Sequence, residues 1–124
     1  MIKFNVNQLS SFRVTSTLLD ETGAVVPAAS LTTFTLTLYD RATNAIINSR
    51  SAQNILNANG VTVDSSGNMV WTGTPSDAPI LNSTRTSEQH VALFHYTWSS
   101  GAKGAYDAVI LEVLRFPNTT YPDP

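Results

Sequence analysis

Residues 90–116 read HVALFHYTWSSGAKGAYDAVILEVLRF. Two long runs rich in aromatic and β-branched residues flank a small polar turn, Ser99-Ser100-Gly101-Ala102-Lys103-Gly104. The glycines allow backbone angles that other residues resist. Such a hairpin is not stable alone, because two strands bury too little surface. The rest of the chain is therefore expected to cover it. In the second arm, Val109, Leu111 and Val113 alternate with Ile110 and Leu114, the pattern of a central strand packed on both faces. In the first arm, Phe94, Tyr96 and Trp98 share one face, and Val91, Leu93 and His95 share the other. One face is expected to fill the core. The other is expected to meet the 54–60 loop or another subunit, since exposed aromatic rows mark interfaces.

Working outward, the same grammar recurs. LTTFTLTLYD (residues 31–40) sets Phe34, Leu36 and Leu38 against Thr33, Thr35, Thr37 and Tyr39. This is a half-buried strand with β-branched residues on its wet face. SFRVTSTLL (11–19) alternates in the same way. Residues 45–49, with Ile46 and Ile47, are expected to pair back after the 40–44 turn. The Asn-rich residues 53–60 fit neither strand nor helix. Residues 61–64 and 69–72 flank Ser65-Ser66-Gly67-Asn68 as a hairpin, with Trp71 in the core. Thr74, Pro75 and Asp77 supply an N-cap, a first-turn proline and a carboxylate three residues after the cap. Pro79 ends the helical run, because the residue before a proline avoids helical angles. One short helical turn is therefore expected between Thr74 and Leu81, with a polar loop over 82–89.

The sum is seven to nine short strands and one helical turn: an all-β, immunoglobulin-like antiparallel β-sandwich forming a single domain over residues 1–124. A small barrel is the alternative. Residues 1–10, in which Ile2, Phe4 and Val6 alternate with polar residues, are expected to form either a short strand or an N-terminal arm that pairs with another chain. Residues 117–124 hold three prolines and form an expected extended tail.

Composition narrows the chemistry. At 124 residues without cysteine, the chain holds a core without disulfides and has no thiolate for catalysis or zinc. A net charge of −2, with charged residues at only 13%, argues against a nucleic-acid partner. No run approaches the ~18 apolar residues of a membrane helix, and no signal peptide is apparent, so the protein is expected to stay where it is made. Asn82 and Asn118 start Asn-x-Ser/Thr matches that read as chance. His90 and His95 lie on opposite faces of one strand, cannot share a metal, and read as surface or edge residues. Asp64 to Asn68 lacks the spacing of a calcium loop. Asp20, Glu21, Asp107 and Glu112 are too scattered for a carboxylate pair, and no Gly-x-Ser-x-Gly elbow or phosphate loop occurs. The expectation is no enzyme, no cofactor and no metal.

LTTFTLTLYDRATNAIINSR, NILNANGVTVDSSGNMVWT, the turn from Thr74 to Leu81 and the 90–116 hairpin together resemble small immunoglobulin-like virion proteins of tailed bacteriophages and prophages. Proteins of that group decorate capsids or sit in necks and baseplates. The resemblance covers roughly residues 11–116 and brings no catalytic residue. It implies a many-copy structural subunit on the head or neck, assembled in the host bacterial cytoplasm. The implied partners are copies of itself and other virion proteins. Ile2, Phe4, Val6, Phe94, Tyr96, Trp98 and Tyr121 are the candidate interface residues. The rival is a carbohydrate-binding or adaptor module of a tail tip or baseplate, with Tyr96 and Trp98 as a stacking platform.

Overall fold

The computed structural model describes residues 2–115. Eight strands occur among them: β1 (Ile2–Asn7), β2 (Phe12–Thr17), β3 (Leu31–Asp40), β4 (Gln53–Asn54), β5 (Val61–Val63), β6 (Asn68–Gly73), β7 (Ser87–Trp98) and β8 (Lys103–Leu114). They form two sheets, ordered β1-β8-β7-β3-β4 and β2-β6-β5. The arrangement is a sandwich, with β2, β6 and β5 facing the sheet built on β3, β7 and β8. The all-β sandwich expected from the sequence is what forms.

The 90–116 hairpin is its centre. β7 and β8 pair antiparallel from Ser87↔Leu114 to Trp98↔Lys103. Ser99, Ser100 and Gly101 all adopt left-handed angles, so the turn spans four residues. Gly104 is a strand residue, not part of the turn. β3 lies on the other side of β7, with Phe34 opposite Tyr96 and Leu36 opposite Phe94.

Two expectations change. Of the two readings of residues 2–7, the strand forms and the free arm does not: β1 lies parallel on β8, with Ile2 opposite Val109 and Val6 opposite Val113. Val6 is buried, and Phe4 packs on the core. The return strand over 45–49 shrinks to one bridge, Tyr39 to Ile46. Asn48, Ser49 and Ala52 turn left-handed, which a continuous strand does not tolerate; the Arg50 carbonyl accepts from the Leu38 N–H at 2.9 Å, and the ladder on β3 resumes at Gln53. The helical turn expected between Thr74 and Leu81 forms as a 3-10 turn, Pro75–Asp77, in which the Thr74 N–H donates to the Asp77 carboxylate at 2.9 Å, and a second 3-10 turn, Ala28–Ser30, precedes β3. The expected tail, with Tyr121, lies outside the described residues.

The core is an aromatic chain between the sheets. Phe12 meets Trp71 edge-on at 5.0 Å, Trp71 meets Phe94 at 5.8 Å, and Phe34 touches both Phe94 and Tyr96 at 6.1 Å. Such contacts add to the stabilisation from buried area. Gly73 sits where a Cβ would lie 2.1 Å from the Phe12 ring. Gly73→Ala is therefore expected to lower stability by about 1–3 kcal/mol through overpacking. Urea unfolding measures it, and Phe12→Leu should relieve part of the loss.

Asp77 also anchors this turn to the core. Arg50 Nε donates to its Oδ1 at 2.6 Å and Nη2 to Oδ2 at 3.1 Å, while Asn48 Nδ2 adds 2.8 Å. The Arg50 guanidinium also lies over the Trp71 ring, 5.6 Å from its centre. Burial alone raises the Asp77 carboxyl. The hydrogen bonds from Arg50, Asn48 and the Thr74 N–H, with the Arg50 charge, outweigh it and hold the group below its ordinary value.

Candidate functional site

Strand alternation sends every second residue of the larger sheet away from the core. The ladders on that outer face are set by register. Thr35, His95 and Tyr106 form one row, Thr37, Leu93 and Ala108 the next, and Tyr39, Val91, Ile110 and Lys3 a third. Thr33 and Thr97 join hydroxyls at 2.6 Å. His95 and Tyr106 stack with centres 4.3 Å apart, and Tyr106 is 67% exposed. Among the described residues of these strands, the charged side chains on this face are Lys3 and Glu112, which pair at 3.7 Å. The face is therefore broad, Thr-rich, partly aromatic and nearly neutral.

This reverses part of the expected interface. Phe94 and Tyr96 belong to the buried face and cannot meet a partner in the folded chain. They point inward because β7 packs against β6, whose Trp71 reaches Phe94. The Tyr96 hydroxyl donates to the Leu19 carbonyl at 2.8 Å and accepts from its N–H at 3.3 Å. Burial pushes that hydroxyl above its ordinary value. Trp98 stacks on Tyr96 at 5.6 Å and is half-buried. It borders a cleft of about 290 Å³ with Glu21 and Lys103, which pair at 2.6 Å. Val6 is buried and Phe4 half-buried, leaving Ile2 exposed at the β1 edge.

The inward face holds a second feature. Its apolar rows end in three buried polar residues at one end of the sandwich. Asp40 closes β3 directly opposite His90 of β7, and Glu88 lies two residues before His90 on the same face. His90 is thus not the surface or edge residue its sequence suggests: it is fully buried. It does face away from His95, as strand alternation requires.

Glu88 organises the loop that precedes β7. Its Oε1 accepts the Leu81 N–H at 2.9 Å, and its Oε2 accepts the Asn82 N–H at 2.8 Å. His90 Nε2 stands 2.8 Å from Oε1. A carboxylate only accepts, so Nε2 carries the hydrogen. Burial raises the Glu88 carboxyl, but the backbone N–H groups and His90 outweigh it and leave the group below its ordinary value. Asp40 Oδ2 accepts from the Thr43 hydroxyl at 2.7 Å. Asp40 Oδ1 and His90 Nδ1 are buried without a hydrogen-bond partner among the described residues. Arg85 Nη1 approaches both carboxylates, at 3.6 Å from Asp40 and 3.5 Å from Glu88. Arg115 holds the Arg85 backbone, donating from Nε to its carbonyl at 2.8 Å. A cleft of about 470 Å³, lined by Asp40, Arg85, Glu88 and Glu112, opens beside the cluster.

Two histidines on opposite faces of a strand share no metal, but a single histidine with two carboxylates is a different set. The sequence offers no sign of this trio, since Asp40 lies far from His90 along the chain and only sheet register joins them.

The chain matches no protein-family model, and no curated protein matches it.

Proposed function

We propose that this chain is a non-enzymatic structural subunit of a tailed-phage virion, which assembles through the outer face of its five-stranded sheet. The observation that carries the assembly role is the near-neutral face built from Thr35, Thr37, Tyr39, Leu93, His95 and Tyr106. Interfaces are enriched in Tyr and depleted in charge at their centre, and this face has both properties. A rigid sheet presents it without the entropy cost of ordering a loop. The virion assignment rests on the resemblance of the sequence to small immunoglobulin-like virion proteins. In this reading the partners are other copies and neighbouring head or neck proteins. Neither nucleic acid nor membrane is a partner, and no cofactor takes part. The place of action is the particle, assembled in the host cytoplasm.

Mass spectrometry of purified particles tests the assignment, and a virion without this chain refutes it. Tyr106→Glu tests the face. It is expected to leave the fold intact, because the side chain is exposed, while cutting incorporation into particles at least tenfold, the range for loss of an interfacial aromatic anchor of about 2 kcal/mol. Normal incorporation would show that this face is not the interface.

One observation favours a carbohydrate-binding role instead. Trp98 remains half-exposed beside the Glu21–Lys103 cleft, although Tyr96 no longer contributes to a platform. A glycan array with wild-type protein and Trp98→Ala separates the two readings, since only sugar binding depends on that ring.

A further inference from the structure

We propose that Asp40, Glu88 and His90 form a binding site for a divalent transition-metal ion of the zinc class, with Arg85 as the displaceable cation that occupies its mouth. The three side chains are each no more than 3% exposed. One ligand atom from each lies within 4.8 Å of the others. His90 Nε2 is 2.8 Å from Glu88 Oε1 and 3.9 Å from Asp40 Oδ1. Tetrahedral ligands with bonds of about 2.1 Å stand roughly 3.4 Å apart, so the His90–Glu88 pair must open and Asp40 close toward β7, each by about half an ångström.

The observation that points to a ligand is Asp40 Oδ1. It is buried, aimed into the cluster, and accepts no hydrogen bond among the described residues. Burying a carboxylate oxygen in this way is costly unless a cation meets it. Arg85 answers that need only in part. Its Nη1 stays 3.6 Å from Asp40 and 3.5 Å from Glu88, longer than a charge-assisted hydrogen bond, and one guanidinium is shared between two carboxylates. A dication with Arg85 swung aside cancels both. Arg85 has room to leave, since its side chain is 31% exposed and the adjoining cleft opens beside it.

The donor set selects the metal. One imidazole nitrogen with two carboxylate oxygens suits zinc and its neighbours. Calcium wants six or more oxygens, and magnesium keeps most of its water. The carboxylates already have the outer hydrogen bonds that ligands need: Glu88 from Leu81 and Asn82, Asp40 from Thr43. His90 does not. Binding through Nε2 moves its hydrogen to Nδ1, which has no acceptor among the described residues. Affinity is therefore about tenfold or more below that of a site with a complete outer shell.

The test is titration of the tag-free full chain with Zn²⁺, followed by calorimetry and by thermal unfolding with and without chelator, with Mg²⁺ as the contrast. The expected result is one Zn²⁺ per chain, a raised melting temperature, and no response to Mg²⁺. His90→Gln should abolish saturable binding, while His95→Gln, on the opposite face, should keep it. Arg85→Ala should melt lower than wild type in chelator and recover with Zn²⁺. A purely structural Arg85 would give the loss without the recovery. Absence of saturable Zn²⁺ binding by the wild-type chain, or binding that depends on His95, overturns the proposal whether or not the variants fold.

Discussion

Asp77→Ala is expected to lower the stability of this domain by about 3–5 kcal/mol, the cost of leaving one member of a buried ion pair without the other. Arg50 is 4% exposed and Asp77 fully buried. Removing the carboxylate leaves the guanidinium over Trp71 with no anion and removes the acceptor that closes the Pro75–Asp77 turn. Replacing both members, as in Arg50→Met with Asp77→Leu, should cost markedly less, because no charge then stays buried alone. Denaturant unfolding of the two variants distinguishes a pair that stabilises from one that is merely costly to break. Acid gives a second readout. The folded carboxyl lies below its ordinary value of 3.8, so its contribution is present above that pH and disappears as pH falls below it through the folded value. Asp77→Asn should start less stable and show a flatter loss in that acid window. An unchanged acid profile would assign the wild-type loss to other groups.

Phe94→Ala is expected to cost about 3–5 kcal/mol, while Leu93→Ala costs about 1 kcal/mol. The two residues are neighbours on β7, but alternation puts Phe94 among Trp71, Phe34 and Leu36 and sends Leu93 to the open face. Urea midpoints of both variants decide the matter. Equal losses would mean that the outer face is packed against something in the isolated chain.

The contrast between Phe94 and Leu93 also locates the limit of the sequence. β3 was legible residue by residue, because Phe34, Leu36 and Leu38 alternate with threonines and one face is plainly wet. The β5–β6 hairpin and the Thr74–Asp77 cap were legible too, since turn chemistry is local. β7 was legible as a strand but not in orientation, because both its faces are apolar and period 2 alone does not rank them. The bridge from Arg50 to Asp77 and the Asp40–Glu88–His90 cluster were hidden for a different reason. Their members are distant along the chain, and only the fold of the two sheets brings them together. Residues 2–7 read equally as a strand or an arm for the same reason: their partner is β8, more than a hundred positions away, as the Ile2–Val109 pair shows.

That last pairing has a kinetic side. Ile2 meets Val109, so the first strand closes the longest loop in the sheet. Loop-closure entropy opposes such contacts until the chain between them is already compact. β1 therefore has no template until β8 has been made. During synthesis its exposed edge waits for nearly the whole domain. Docking of β1 is the step that covers the open side of β8, and with it the last main-chain edge of the hairpin at the centre of the fold.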